Sequence, residues 1–376
     1  MNSGIYIHVP FCHKACHYCD FHFSTSMGFK SRMVKALAKE LQMRSHDFSD
    51  RTISSVYLGG GTPSILSIDH IMVLMDSIRH HYSISGEAEI TMEANPEDLT
   101  HEYLSELAKT PVNRLSIGIQ SFSDKDLAWM NRNHHALQAM QCIEDAQDAG
   151  IENISIDLIY GTPGMSDRQW LDNLDLAKDL NASHLSAYSL TVEEHTPLHH
   201  LIRRGKSLSP SDTDSARHFE MLMEWAEKND YMHYEISNLC RENLYARHNS
   251  GYWKGMIYAD IGPSAHSYDG FTRRWNISSN PRYMDAIEKD EDCYSTETLQ
   301  ESQKWNEYVM VSLRTMWGCD PVHMQNLFSK EWNDMFASCA ERHVRSGNMT
   351  ETDGKFVLTR KGKLIADAVT VDFFVE

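Results

Sequence analysis

The chain has 376 residues, of which 41% are hydrophobic and 23% are charged, an ordinary globular composition. Its formal net charge is −18, so the surface as a whole should repel phosphate backbones, and nucleic acid is not expected as the main partner. No apolar run approaches the length of a membrane span, and the N-terminus lacks a signal-peptide pattern. We therefore expect a cytoplasmic protein whose thiols are reduced.

In the first part of the chain, short strand-like runs alternate with longer amphipathic stretches. Ser67, Thr100 and Ser166 are placed to cap helix N-termini, and Gly150 to end a helix. Six strand–helix units predict an α/β fold with a parallel sheet, either a barrel or an open part-barrel. The predicted strands cover 4–11, 53–61, 87–95, 112–122, 153–164 and 183–193, and the predicted helices cover 31–44, 68–82, 101–110, 136–150 and 167–180.

The pattern changes after about residue 205. A helix and a strand are followed by 246–270, which is rich in aromatics, histidine and glycine and shows no clear period. Helices and a hairpin with an Asp-Gly turn then predict a mostly helical, winged-helix-like module at the C-terminus. The acidic chain favours a structural or substrate-covering role for this module over DNA binding. We predict three units: a core of 1–205, an extension of 206–295 and the C-terminal module of 296–376.

Cys12, Cys16 and Cys19 follow the first predicted strand with the spacing C-x3-C-x2-C. Thiolates this close repel one another unless a soft metal centre receives them. A zinc site is one reading, because His8, His13, His17 and His22 lie nearby in the sequence. Three thiolates on one loop are more typical of a [4Fe-4S] cluster with one iron lacking a protein ligand. The other cysteines are scattered, and we expect them to be small buried residues.

Polar and glycine-rich loops follow the other predicted strands. The glycines of 59–61 place bare backbone N–H groups at a strand end, where a carboxylate could approach, although a lone triplet also suits an ordinary tight turn. Glu93, Gln120, Arg132 and Asp157 lie on or just after successive strands. In a parallel barrel these positions meet at one rim, where they would suit an amino group, a carboxylate and ribose hydroxyls. Taken singly, each could be a helix cap or an ion-pair partner.

Together these motifs identify a family. The stretches YIHVPFCHKACHYCDF, GGGTPS, SIGIQSF, NRNH, DLIYGTPG and RHNSGYW resemble those of the radical S-adenosylmethionine superfamily. More narrowly, they resemble its branch of oxygen-independent coproporphyrinogen III oxidases and haem chaperones. The resemblance runs from Tyr6 to the C-terminal module and implies a partial (β/α)6 barrel of the TIM type.

The resemblance also implies roles for named residues. Cys12, Cys16 and Cys19 would ligate a [4Fe-4S] cluster, and S-adenosylmethionine would chelate its open iron. Tyr6 and Tyr18 would contact the cofactor near the cluster, and Gly60, Gly61 and Thr62 would bind its amino-acid end by backbone and hydroxyl groups. Further cofactor contacts would come from Glu93, Gln120, Arg132 and Asp157.

Two features favour the chaperones over the oxidases. The oxidases carry a fourth cysteine two residues after the third, where this chain has Phe21, and a long N-terminal arm, where this chain has five residues before Tyr6. The stretch HNSGYW also resembles the HNxxYW motif of the chaperones. By that resemblance His248, Asn249, Tyr252 and Trp253 would bind haem, with His248 as an axial ligand and Cys240 as a weaker candidate.

We therefore predict a haem chaperone that passes haem to client haemoproteins. An oxidase that converts coproporphyrinogen III propionates to vinyl groups is the second prediction, and a zinc-bound winged-helix regulator is the third. Homodimerisation and the turnover of S-adenosylmethionine are left open by the sequence.

Overall fold

The computed structural model describes residues 2–48, 51–241 and 243–376. Its strands are β1 (Asn2–Val9), β2 (Thr52–Gly60), β3 (Ser83–Ala94), β4 (Arg114–Gln120), β5 (Ile154–Tyr160), β6 (His184–Ser189), β7 (Met232–Glu235), β8 (Asn238–Cys240), β9 (Ile257–Ile261), β10 (His266–Tyr268), β11 (Thr272–Asn276), β12 (Tyr294–Thr298), β13 (Met349–Thr352) and β14 (Lys355–Leu358).

Helices follow most of these strands. They are α1 (Lys30–Met43), α2 (Ile68–His81), α3 (His101–Leu107), α4 (Asp124–Trp129), α5 (Ala136–Asp148), α6 (Asp167–Asp179), α7 (Pro197–Arg203), α8 (Asp212–Lys228), α9 (Arg247–Trp253), α10 (Asn280–Glu288), α11 (Glu301–Leu313), α12 (Pro321–Leu327), α13 (Lys330–Arg345), α14 (Arg360–Lys363) and α15 (Ala366–Val371). Short 3-10 turns span Met27–Phe29, Ser45–Phe48, Pro63–Ile65 and Pro96–Asp98.

The strands β1 to β6 pair in chain order, and every pair is parallel, which confirms the predicted strand–helix units. The order in the large sheet is β12-β11-β10-β9-β1-β2-β3-β4-β5-β6-β8-β7. The sequence did not reveal that β9, from the middle of the chain, pairs parallel with β1. Antiparallel strands then extend both ends, so the β1–β6 core is an open part of a barrel, in agreement with the predicted fold class.

The helix boundaries follow the predicted local signals. The side chains of Ser67, Thr100 and Ser166 each accept a backbone N–H bond from the first turn of α2, α3 and α6. Gly150 has a φ of +90° just after α5, a conformation that glycine adopts without strain. These capping interactions are local, which is why they could be predicted from sequence alone.

Alternation along β1 separates two environments. Ile5, Ile7 and Val9 are fully buried in the main hydrophobic core between the sheet and the outer helices. Tyr6 and His8 point to the other face, where Tyr6 aligns with Tyr57 of β2. The inner face of the barrel is therefore polar and aromatic, while the outer face carries the hydrophobic contacts that hold the helices.

The C-terminal residues have a separate hydrophobic core built around Trp305, Phe336 and Phe373. Three helices precede the β13–β14 hairpin, whose turn residues Asp353 and Gly354 have φ values of +51° and +74°. This order of elements agrees with the predicted winged-helix-like module. The boundaries of the three predicted units stay a prediction.

One helix was not predicted, and one local expectation does not hold. Residues Arg247–Trp253 form the short helix α9, although the surrounding segment has no helical period in its sequence. Cys293 is half-buried, whereas Cys142, Cys240, Cys319 and Cys339 are buried as expected.

Candidate functional site

One cavity of about 940 Å³ opens at the carboxyl ends of the parallel strands. The three predicted cluster cysteines line it, together with every predicted S-adenosylmethionine contact except Tyr6, namely Tyr18, Gly60, Gly61, Thr62, Glu93, Gln120, Arg132 and Asp157. The C-terminal module forms its far wall through Arg314 and residues 363–368. The volume lies near the upper end of the usual range for small-molecule sites, about 300–1,000 Å³.

The loop after β1 is held at both ends by backbone hydrogen bonds. Cys12 N–H donates to the carbonyl of Ser24, and Ser24 N–H donates to that of Pro10, so the loop closes back on its start. The half-buried Cys12, Cys16 and Cys19 lie on this closed loop. The structure thus gathers the three thiols at one end of the cavity.

Polar side chains reach two of the thiols. The Thr62 hydroxyl lies 3.4 Å from Cys12 Sγ, and Arg132 Nη1 lies 3.4 Å from Cys16 Sγ. Burial raises the pKa of Cys12 to about 11 and that of Cys19 to about 12, so without a metal both are protonated at neutral pH. Metal binding must therefore release protons here, and Thr62 and Arg132 are placed to stabilise the thiolates that result.

The nearby histidines are engaged elsewhere. His8 Nε2 bonds to the His22 carbonyl, His13 to Asp98 and His17 to the Trp129 carbonyl, and the His22 ring contacts Asn280. Across residues 2–48, 51–241 and 243–376, no three His, Cys, Asp or Glu side chains are close enough to share one metal ion.

Two glycines are required where the loops after β1 and β2 meet. A Cβ on Gly61 would lie 2.5 Å from the carbonyl oxygen of Phe11, and a Cβ on Gly60, which has a φ of +108°, would lie 2.5 Å from Nδ1 of the His8 ring. The expectation of free N–H groups does not hold, however. The N–H groups of Gly60, Gly61 and Thr62 donate to Glu93, Val9 and Phe11 respectively. The glycines thus permit close packing, and these three donors are already used within the protein.

Two half-buried carboxyl groups face the cavity. Glu93 accepts hydrogen bonds from the Tyr57 hydroxyl at 2.8 Å and from Gly60 N–H at 3.1 Å, and burial raises its pKa to about 7. Burial also raises the pKa of Asp157 to about 6. Since a nearby cation favours the ionised carboxylate, this end of the cavity is suited to a positively charged ligand. Tyr57, which sequence reasoning missed, positions Glu93.

Gln120 and Arg132 share the rim with Asn95, which sequence reasoning also missed. Arg132 Nη2 donates to Asn95 Oδ1 at 2.6 Å and to the Gly118 carbonyl at 2.7 Å. Its Nε is buried without a partner among the described residues. Gln120 has a φ of +68°, so its backbone turns sharply at the end of β4. Arg132 therefore connects the cluster loop to β4 and keeps an unused donor.

The predicted haem residues lie away from this cavity. His248 is buried, and its Nδ1 lies 2.9 Å from the Ser55 hydroxyl while its Nε2 lies 2.8 Å from the Tyr252 hydroxyl. Its ring stacks on Tyr57 with centroids 5.2 Å apart. Glu89 accepts the N–H groups of Arg247 and His248 at 3.0 Å each. Helix α9 thus fills the N-terminal end of the barrel, and both ring nitrogens of His248 are engaged.

The remaining motif residues have different surroundings. Asn249 and Trp253 are half-buried on α9, and the Trp253 ring lies 5.6 Å from the Arg314 guanidinium. Cys240 is buried on strand β8, which lies between β6 and the edge strand β7. None of these residues, nor His248 or Tyr252, lines the main cavity. The structure brings the predicted cluster and cofactor residues together, and it places the residues of the predicted haem motif outside the cavity wall.

Comparison with known proteins gives consistent results. The Radical SAM superfamily profile matches residues 6–177. A protein of Mycobacterium tuberculosis named heme chaperone HemW is 34% identical over 97% of this chain and 93% of its own length. A Bacillus subtilis protein of the same name is 32% identical over 100% of both chains.

The solved structure of coproporphyrinogen III oxidase (HemN) from Escherichia coli aligns with a TM-score of 0.84 at 22% identity, covering 99% of this chain and 89% of its own. At that identity the match concerns the fold. Among the described residues, no helix is both long and apolar enough to cross a bilayer.

Proposed function

Because the chain belongs to the radical SAM superfamily and, within it, to the HemW family, we propose that it is a haem chaperone. In this proposal it binds a [4Fe-4S] cluster, S-adenosylmethionine and haem, and it delivers haem to client haemoproteins. The observation that carries the proposal is the shared cavity, which joins the three thiols to all the predicted cofactor contacts except Tyr6.

Cys12, Cys16 and Cys19 would hold the cluster. Their donor chemistry fits it, because three soft thiolates on one closed loop leave one iron open to a further ligand. A bound cluster supplies redox chemistry and a chelation site for the amino and carboxylate groups of S-adenosylmethionine. Thr62 and Arg132 would stabilise the thiolates through the contacts already described.

The carboxyl groups of the cavity would receive the cationic parts of S-adenosylmethionine. Glu93, whose pKa lies at about 7, would lose its proton when an ammonium or sulfonium approaches. Asp157 would accept hydrogen bonds from ribose hydroxyls, and the unpartnered Arg132 Nε could donate to the ligand. Tyr6 is not a cavity wall, and it would act by packing against Tyr57, the residue that orients Glu93.

The experiment that tests the proposal starts with anaerobic reconstitution of the cluster. Iron and sulfide analysis, binding of S-adenosylmethionine, haem titration and haem transfer to an apo-haemoprotein are then measured on one sample. We expect cluster formation, saturable haem binding and transfer. A reconstituted protein that binds no haem would contradict the chaperone function while leaving the family unaffected.

A second candidate is an oxidase acting on coproporphyrinogen III. The full-length fold match with HemN supports considering it, and the cavity beside the thiols offers room for a substrate. Phe21 weighs against it, because this side chain is 70% exposed at the cavity rim at the position where the oxidases carry a fourth cysteine. Formation of protoporphyrinogen by the same reconstituted sample, with methionine released in step, would favour the oxidase. Homodimerisation and a cytoplasmic location stay predictions.

A further inference from the structure

Asn95, which directly follows β3, lies between the two polar side chains that reach the thiols. Its Oδ1 accepts a hydrogen bond from Arg132 Nη2 at 2.6 Å, and its Nδ2 donates to the Thr62 hydroxyl at 3.3 Å. Thr62 in turn lies 3.4 Å from Cys12 Sγ, and Arg132 Nη1 lies 3.4 Å from Cys16 Sγ. One side-chain amide therefore connects the donors that serve two different thiols.

The direction of these hydrogen bonds follows from the chemistry of the groups. A guanidinium can only donate, so the amide oxygen of Asn95 faces Arg132 and the amide nitrogen faces Thr62. A threonine hydroxyl has one proton to donate. Because Asn95 donates to the hydroxyl oxygen of Thr62, that proton stays available for Cys12 Sγ. The amide thus directs the hydroxyl proton towards the sulfur.

The Arg132 side chain is oriented by the same amide. Its Nη2 donates both to Asn95 and to the Gly118 carbonyl, which lies 2.7 Å away. Since a guanidinium is planar, two acceptors on one nitrogen fix the direction of the other donors, including the Nη1 that reaches Cys16. A Cβ on Gly118 would lie 3.4 Å from Asn95 Oδ1 and 3.3 Å from Arg132 Nη2, so glycine at this position leaves room for the contact.

The backbone of Asn95 is held in place as well. Its N–H donates to the Ser64 hydroxyl at 3.2 Å, and that hydroxyl donates to the Asp98 carboxylate at 2.7 Å. Asp98 also lies 2.9 Å from His13 Nε2 on the loop after β1, and its N–H donates to the Asn95 carbonyl at 3.1 Å. The half-buried amide is therefore supported from the loop that carries the thiols.

We propose that Asn95 is a positioning residue for the [4Fe-4S] cluster, and that it acts by directing the Thr62 and Arg132 donors onto the sulfur atoms of Cys12 and Cys16. The inference rests on the proposed function, since it concerns the cluster that the three thiols would hold. Hydrogen bonds to the sulfur atoms favour the reduced cluster, because reduction adds negative charge. Asn95 should therefore raise the reduction potential of the cluster.

The test measures the reduction potential of the reconstituted cluster in the full-length protein, before S-adenosylmethionine is added. Potentiometric titration followed by electron paramagnetic resonance gives this value. Asn95→Ala should lower the equilibrium constant for reduction by about tenfold, a shift of about 59 mV to lower potential for one electron. Thr62→Val removes the hydroxyl and keeps the shape of the side chain, so it should lower the constant in the same direction. If Asn95 acts through Thr62, the double variant should change the constant by less than the product of the two single effects.

Asn173→Ala is the matched control. The Asn173 amide is buried on α6, where its Oδ1 accepts the Phe122 N–H at 2.9 Å and its Nδ2 donates to the Ser121 hydroxyl at 3.3 Å. Asn173 does not line the cavity. Its replacement should lower the unfolding free energy and leave the potential unchanged, which separates positioning of the cluster from a general loss of stability. Asn95→Ser, whose side chain is too short to bridge both partners, serves if Asn95→Ala does not retain its cluster.

Two results would overturn the inference while leaving the proposed function standing. One is a wild-type potential in Asn95→Ala with iron and sulfide retained; weaker binding of S-adenosylmethionine in that variant would then make Asn95 a direct contact of the cofactor. The other is a double variant whose effect equals the product of the single effects, because Asn95 would then not act through Thr62. Failure of the unaltered protein to assemble a cluster or to bind haem would instead refute the proposed function.

Discussion

Each end of the barrel carries a distinctive sequence motif. The side chains of the two motifs differ in whether they are open to a ligand. The loop after β1 presents half-buried thiols to an open cavity, whereas helix α9 buries His248 with both ring nitrogens engaged. A residue type that can bind a metal is available only if its lone pairs are not already used. In this structure the thiols are therefore open to a ligand, whereas both ring nitrogens of His248 have hydrogen-bond partners within the protein.

Replacing a cluster cysteine should have the largest effect and tests the thiol end directly. Cys16→Ser removes a soft ligand next to Arg132, so we expect the reconstituted protein to lose its cluster iron and its S-adenosylmethionine binding. Iron and sulfide analysis measures the loss. Cys293→Ser is the control, because Cys293 does not line the cavity. Normal iron content in Cys16→Ser would mean that the ligand set is wrong.

His248→Ala tests whether α9 is structural. The substitution leaves a cavity beneath Tyr57 and removes the ring partners of the Ser55 and Tyr252 hydroxyls, so unfolding free energy should fall by about 2–4 kcal/mol. Urea denaturation of the protein measures it. His13→Ala, which removes a partly exposed pair with Asp98 on the cluster loop, should lower it by about 1 kcal/mol or less. Equal losses of unfolding free energy in the two variants would contradict a structural role that is specific to α9.

Gly61→Ala tests the packing between the loops after β1 and β2. The new methyl group would lie 2.5 Å from the Phe11 carbonyl, so we expect a loss of about 1–3 kcal/mol in unfolding free energy and weaker cluster retention. Gly28→Ala is a matched control, because no atom lies within 4 Å of its added carbon. Thermal denaturation and iron content of both variants separate the outcomes. If the two behave alike, close approach at Gly61 is not required.

The pH dependence of cofactor binding tests the acidic end of the cavity. Since burial raises the pKa of Glu93 to about 7, the free protein is protonated there below that pH and ionised above it. Binding of a cation requires the ionised form, so S-adenosylmethionine affinity should rise with pH through about 7, by up to tenfold per unit below it. Calorimetric titration of the wild type and Glu93→Gln measures this rise. The rise should be lost in the variant, and its persistence would assign it to another group.

The smallest expected effect that distinguishes the two ends is in the pH dependence of the unfolding free energy. Burial lowers the pKa of His248 to about 3, well below the value of about 6.5 expected in the unfolded chain. The unfolded state therefore binds one more proton as pH falls below about 6.5, and stability declines by about 1.4 kcal/mol per pH unit for this group. For His248→Gln, the slope of unfolding free energy against pH in that range should be smaller by the contribution of one proton. Denaturation at several pH values measures this slope. An unchanged slope would mean that His248 is not buried in solution.

Much of the thiol end could be predicted because its signals are short-range. The spacing of Cys12, Cys16 and Cys19, the caps of α2, α3 and α6, and the alternation along β1 all depend on neighbours within a few residues. Parallel strand order brings successive strand ends to one rim, so Glu93, Gln120 and Asp157 could be placed together before their contacts were known.

The sequence alone thus determined the superfamily, the cluster loop and the rim of polar residues, because these depend on local patterns and on a regular strand–helix order. Only the tertiary structure decided three further points. Strand β9 pairs with β1, the His248 side chain of α9 is buried inside the barrel, and Arg314 and Lys363 line the same cavity. Each of these joins residues far apart in the chain. Such contacts leave no periodic or spacing signal, so the availability of a nitrogen or a cation for a ligand becomes visible only in the folded protein.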